Sequence, residues 1–356
     1  MEALQKLQEM SNRYGADPHY VLAGGGNTSY KTGTTLFVKG SGTSLATIKA
    51  EDFVRLDRAA LTAMWKKTYP ENEAEREKEV LADMMAARLP DENRRPSVET
   101  LLHNLFPQSY VLHVHPALVN GMTCGKNGPA IAEALFPGSV WVNACRPGYV
   151  LASICRREMN AYRQKTGRDV ELLFLQNHGV FFAGNSVEEI DRLAGSVMKT
   201  LDAYVGAVKA KRTADLGEWL KEATGAAVCD YLESGAIAAF DPDRNSPTPD
   251  HIVYCKAKFL TVEFYETKES LTAKVAAFRE KNGYAPRVVI VKGQGAFVLG
   301  TDGKQLDTVR AVFLDQVSVF GTSAAFGGYF GMSDDLVDFI VNWEVESYRA
   351  KVSGGK

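Results

Sequence analysis

Three of the chain's six histidines fall in two short stretches, Tyr110-Val111-Leu112-His113-Val114-His115-Pro116 and Gln176-Asn177-His178-Gly179. The first is an apolar run of strand type ended by proline. Side chains alternate along a strand, so His113 and His115 share one face and Val114 takes the other. Two neighbouring imidazoles are half of a metal chelate, and zinc takes neutral imidazole nitrogen at about 2.0–2.1 Å. His178 is the third ligand in this reading, and a catalytic site then keeps one position for substrate or water. A histidine pair on a strand is often only a satisfied core feature. The segment upstream tips the balance towards a metal.

That segment, Arg95 to Phe106, reads as a short helix opening at Pro96 and Ser97. Val98, Leu101, Leu102, Leu105 and Phe106 form its apolar stripe. Glu99 falls in the first turn, where the helix dipole favours a carboxylate. It is either a helix-start residue and nothing more, or a carboxylate beside the metal that ligates it or acts as acid/base. His103 lies four residues on and shares its face, which makes it a rival ligand ranked below His178.

Near the start stand two glycine-rich turns, Gly24-Gly25-Gly26-Asn27-Thr28-Ser29 and Lys39-Gly40-Ser41-Gly42-Thr43. Glycines let the backbone turn and present N–H groups to an anion. The P-loop pattern is absent. A hairpin at Lys31-Thr32-Gly33-Thr34, not a helix, follows the first turn, which argues against dinucleotide binding. Such turns are commonly only turns. Two of them, both carrying Asn, Ser or Thr, upstream of a metal site point to a phosphate pocket.

In this order and number, the three blocks (the glycine turns, Arg95-Pro96-Ser97-Val98-Glu99 with His113-Val114-His115, and Gln176-Asn177-His178-Gly179) resemble the class II aldolase/adducin family. The likeness covers roughly residues 1–210 and is greatest to the aldolase part of rhamnulose-1-phosphate aldolase/dehydrogenase fusions. It implies a three-layer α/β/α domain with a central, mainly antiparallel sheet. It implies a divalent metal, usually Zn2+, on His113, His115 and His178, with Glu99 as resting ligand and catalytic acid/base. It implies phosphate binding by Asn27, Ser41, Gly42 and Ser97, and a homo-oligomer, a tetramer. The expected reaction is cleavage of a ketose 1-phosphate of the rhamnulose or fuculose type to dihydroxyacetone phosphate and an aldehyde. Epimerase, decarboxylase or dehydratase chemistry within the family is the alternative, and a non-catalytic adducin-like binding protein is the rival of another class. Adducin-like relatives have lost the metal site, whereas this chain keeps all four residues. Val98 departs from the family, standing where some members carry a second phosphate-binding serine. No tyrosine aligns with the family's proton donor.

A net charge of −2 suggests neither a nucleic-acid nor an anionic-membrane surface. No apolar run approaches the ~18 residues of a membrane span. The start reads as a polar amphipathic helix without a signal-peptide core. Five cysteines, odd in number and without a C-x-x-C, fit free thiols in a reducing cytoplasm. The charge run Glu71–Glu79 reads as the solvated face of a helix that buries Val80, Leu81, Met84 and Met85. Polar Lys209–Glu218 and Pro-rich Asp241–Pro249 mark candidate boundaries, giving an aldolase-like domain over 1–210 and a second over 211–356. In that second part, Val288 to Gly300 echoes Leu172 to Gly184, with Asp307 at the offset of Asp191. The echo suggests a degenerate copy. Gln294 takes the place of His178 and no H-x-H lies upstream, so this copy is expected to bind no metal.

Overall fold

The computed structural model describes residues 2–342. They fall into two compact units, Met1–Val205 and Gly206–Lys356. The first unit begins with α1 (Glu2–Ala16), the hairpin β1 (Asn27–Lys31) and β2 (Thr35–Lys39), then β3 (Phe53–Asp57). Next come α2 (Arg58–Ala63), α3 (Glu73–Ala86), α4 (Thr100–Leu105) and β4 (Tyr110–Val114). After them run α5 (Ala117–Thr123), α6 (Gly128–Leu135), β5 (Val140–Val142), α7 (Tyr149–Thr166), β6 (Leu172–Leu175) and β7 (Gly179–Gly184). The long helix α8 (Val187–Thr224) follows and carries the division between the units.

The seven strands form one sheet in the order β3-β2-β1-β4-β7-β6-β5, antiparallel except for the β5–β6 pair. Alternation sorts its side chains onto two faces. Val111, Leu173, Leu175, Phe181 and Ala183 join a core with residues of α2, α3, α4 and α7. Leu112, Val114, Phe174, Val180 and Phe182 join the opposite core, with residues of α1, α5, α6 and α8. The result is helices on both faces of a mixed α/β sheet, the three-layer class the sequence suggested. His113 alternates with Leu112 and Val114, so it lies on the first face. In register it pairs with Asn27 of β1 on one side and Phe181 of β7 on the other.

The second unit has a four-stranded sheet. It contains β8 (Val228–Leu232), α9 (Gly235–Ala238), α10 (Pro249–Cys255), β9 (Leu260–Val262) and α11 (Lys268–Asn282). It continues with the hairpin β10 (Val288–Val291) and β11 (Gly295–Gly300), then α12 (Gly303–Thr322) and α13 (Asp334–Asn342). The strand order is β8-β11-β10-β9, with only β9 and β10 parallel.

Two of three local expectations need correction. The helix expected from Pro96 begins only at Thr100, because Pro96 bridges to Gly40 and the Ser97 N–H bonds to Lys39 O at 3.1 Å. Glu99 is thus the residue before the first turn, with its backbone at φ −94°, ψ 12°. The polar stretch Lys209–Glu218, a candidate boundary, is helical: Lys211 pairs with Asp215 at 2.9 Å on a helix that buries Leu216 and Leu220, and the division between the units falls just before it, after Val205. The Pro-rich stretch leads into α10, with Pro249 in its first turn, inside the second unit.

Candidate metal centre

β4 ends at Val114, and His115 continues its direction, with its N–H bonded to Tyr20 O at 3.3 Å. His113 and His115 therefore stay on one side of the chain, their rings 4.6 Å apart between centroids. His178 arrives on the turn between β6 and β7. That turn is tied down by Gln176 N–H to Val142 O (2.9 Å), Asn177 N–H to Thr123 O (3.2 Å) and His178 N–H to Leu175 O (3.2 Å). Asn177 sits at φ +58°, a left-handed conformation that asparagine tolerates better than most residues. Gly179 lets the strands close, since a Cβ there would lie 2.6 Å from Val114 O.

Ligand atoms of His113, His115 and His178 lie within 4.8 Å of one another. His113 Nδ1 is 3.0 Å from Val180 O. A carbonyl accepts only, so Nδ1 carries the proton and Nε2 is left to donate its lone pair, the usual arrangement around a ligating imidazole. His115 Nε2 lies 2.9 Å from that atom. Phe181 stacks on the His113 ring at 4.0 Å and fixes its plane.

Glu99 completes the group. It is buried, and its Oε1 stands 3.3 Å from His113 Nε2 and 3.4 Å from His178 Nε2. Its Oε2 accepts from Asn27 Nδ2 at 2.6 Å. Oε1 itself has no hydrogen-bond partner. A buried carboxylate oxygen without a donor is costly, and three imidazoles with one carboxylate are a donor set suited to zinc. The residues present fit a divalent ion.

Burial by itself would raise the Glu99 carboxyl. The imidazoles of His113 and His178 and the Asn27 amide outweigh it and hold the group well below the usual carboxylate range. Burial, reinforced by the neighbouring imidazoles, pushes His115 down to about 4 and lowers His178 as well. Both are thus neutral, the ligating form, at pH 7.

Asn27 and Ser97 meet directly, Nδ2 to Oγ at 3.3 Å, and both are buried at the carboxylate. Ser41 and Gly42 form an exposed turn, with Gly42 at φ +85°. The Ser41 N–H bonds to Arg95 O at 2.8 Å, and Gly40 bridges to Pro96, so this turn is joined to the Ser97 segment. His103 is not among the converging imidazoles. It is fully buried and bonded to Ser29 and Asn27. Lys39, part of the second glycine turn, has no role of its own in the sequence reading. Its ammonium donates to Gly24 O (3.1 Å) and Gly26 O (3.0 Å) and so staples the glycine loop. The only sequence signal was a lysine ending an apolar strand.

Among the described residues, no helix is long and apolar enough to cross a membrane. The five cysteines are unpaired thiols.

The profile of the "Class II Aldolase and Adducin N-terminal domain" matches residues 5–205. An uncharacterized oxidoreductase of Bacillus subtilis (strain 168), YuxG, is 24% identical over 410 residues that take in 98% of this chain. The chain spans 58% of that relative's length. Among solved structures, the N-terminal class II aldolase domain of a conserved Thermoplasma acidophilum protein is 26% identical, with a TM-score of 0.48, over 57% of this chain and 93% of that one. L-fuculose-1-phosphate aldolase from Thermus thermophilus is 13% identical, with a TM-score of 0.39, over 57% of this chain and 94% of that one.

Proposed function

The chain belongs to the class II aldolase and adducin family, and on that premise we propose that its first unit is a zinc-dependent aldolase cleaving a ketose 1-phosphate of the rhamnulose or fuculose type. Its products would be dihydroxyacetone phosphate and an aldehyde. The observation that carries the reading is the partnerless Oε1 of Glu99 facing the imidazoles of His113 and His178.

His113, His115 and His178 would hold the ion, with Glu99 beside them. A bound divalent cation supplies Lewis acidity at the substrate's carbonyl and hydroxyl oxygens. Glu99 is ionised at neutral pH and so can take the proton at the carbon next to the carbonyl, or return it. Asn27 holds Oε2, which leaves Oε1 directed at the reacting side. Ser97, Asn27 and the exposed Ser41-Gly42 turn would receive the phosphate. The proposal extends to a homo-oligomer working in the cytoplasm.

The second unit, on this proposal, is a degenerate copy. Its hairpin β10–β11 matches β6–β7 strand for strand, and each is flanked by one parallel and one antiparallel neighbour. Phe297 pairs with Tyr231 as Phe181 pairs with His113. Counting from those pairs, Tyr231, Glu233 and Gln294 stand where His113, His115 and His178 stand in the first unit. Glu233 is paired with Lys209. This set lacks imidazoles, so the copy should hold no ion.

The test is a screen of ketose 1-phosphates on purified protein with metal content measured on the same sample. Cleavage into two carbon fragments, lost with a chelator and restored by zinc, cobalt or manganese, is expected. A single rearranged, decarboxylated or dehydrated product would replace the aldolase reading with another chemistry of the family. Full activity in metal-free protein would end the metal assignment.

A further inference from the structure

We propose that His103, as its Nε2–H tautomer, is a positioning residue that fixes the Asn27 amide and, through it, the direction in which Glu99 presents Oε1. The proposal rests on reading Glu99 as the carboxylate of a divalent-metal centre.

The proton positions follow from donor and acceptor chemistry alone. A carboxylate only accepts. Asn27 must therefore turn its Nδ2 towards Glu99 Oε2, 2.6 Å away, and its Oδ1 faces the opposite way. Oδ1 is in hydrogen-bond contact with His103 Nε2. An amide oxygen also only accepts, so Nε2 carries the hydrogen. In a neutral ring Nδ1 is then the acceptor, and Ser29 Oγ, 2.7 Å away, donates to it. Hydrogens thus point one way along Ser29, His103, Asn27 and Glu99.

Every member is buried; His103 and Ser29 have no exposed surface and Asn27 and Glu99 almost none. Water cannot substitute for a missing link, so the relay has a single satisfied arrangement. Phe181, 5.5 Å from the His103 ring and 4.0 Å from that of His113, holds both imidazoles against the same side of the sheet. Without a donor on its Oδ1, the Asn27 amide keeps only its Nδ2 bonds to Glu99 Oε2 and Ser97 Oγ, and a buried carbonyl oxygen is left unsatisfied. The amide is then anchored at one end only and can tilt away from that oxygen's empty surroundings. Glu99 would be held less firmly by the bond that keeps Oε2 back and Oε1 forward. Groups that orient metal ligands from outside commonly change affinity 10–100-fold when removed.

Three measurements decide it. His103→Leu should keep one zinc site per chain but raise its Kd by about 10–100-fold. His103→Gln, whose amide N–H reaches about as far as Nε2–H, should stay within about threefold of wild type, following the same scale. Nitrogen NMR of the wild-type protein at pH 7 should show His103 protonated on Nε2 only. Unchanged zinc affinity in His103→Leu overturns the proposal. Equal losses in His103→Leu and His103→Gln overturn it in favour of a packing role. A His103 protonated on Nδ1 overturns it without reference to any variant. A wild-type protein that takes up no zinc would instead remove the metal-centre reading, and the NMR tautomer would still decide the relay.

Discussion

A Cβ placed on Gly179 would lie 2.5 Å from Cδ2 of His115. The same atom would stand 2.6 Å from Val114 O, which is strand backbone and cannot swing aside. Gly179→Ala must therefore push β7 away from β4 at the point where two of the proposed ligand imidazoles meet. Overpacking of this kind costs about 1–3 kcal/mol. We expect a lower unfolding midpoint and reduced zinc occupancy. Wild-type values for both would mean that the strands separate freely there.

Replacing His113, His115 or His178 singly with alanine should empty the metal site, measured as ions per chain after dialysis. Gln294→Ala, at the equivalent position of the second unit, should leave the wild-type content unchanged. A second tightly held ion that disappears with Gln294→Ala would refute the degenerate-copy reading.

Glu99→Gln keeps shape and a carbonyl oxygen but cannot take up a proton. Three imidazoles remain, so an ion should still bind, though more weakly. General acid–base groups contribute about 10²–10⁴-fold, and kcat for ketose 1-phosphate cleavage should fall by about that much with a smaller change in KM. Near-wild-type turnover in metal-loaded Glu99→Gln would leave Glu99 with a structural role only.

Acid should destabilise the metal-free protein in a definite window. Burial holds His103 well below its ordinary 6.5, pushes His115 to about 4, and lowers His178. The unfolded chain takes up protons near pH 6.5 that these folded residues refuse, so stability falls as pH drops below that value. Each refused proton contributes a slope of about 1.4 kcal/mol per pH unit. Glu99, held low in the folded state, adds a loss of the same sign below about 4.5. Urea midpoints should decline from pH 7 to pH 5. A flat profile across that interval would show that the buried imidazoles charge without cost.

The fold class and family were legible because their signals are local. Alternation in Tyr110–His115 and the apolar strands around Gln176–Gly179 each read correctly from neighbours in sequence, and the glycine stretches read correctly as turns. The start of α4 was misread because Pro96 and Ser97 look like a helix opening, yet their backbone is taken by Gly40 and Lys39, some 57 residues earlier. Lys209–Glu218 read as a polar boundary because the buried side of that helix rests on few residues, Leu216 and Leu220 among them, and the division between the units falls just before it. The positions of Lys39 and His103 depend on what β2 and α4 face after folding. No spacing rule carries that information.

The row Asn27, His113 and Phe181 across β1, β4 and β7 bears on when the centre comes into existence. Its members lie far apart along the chain, and β1 reaches β4 only after some 80 intervening residues have closed a loop. Pairings of such sequence separation form late and slowly. An ion cannot recruit His178 and Glu99 before the sheet is built, so metal should not nucleate this fold as it does in small zinc modules. It should act by mass action on the finished one, adding RT ln(1 + [ion]/Kd) to stability. During refolding, the appearance of tight zinc binding would then mark the completion of the sheet, and could serve as its clock.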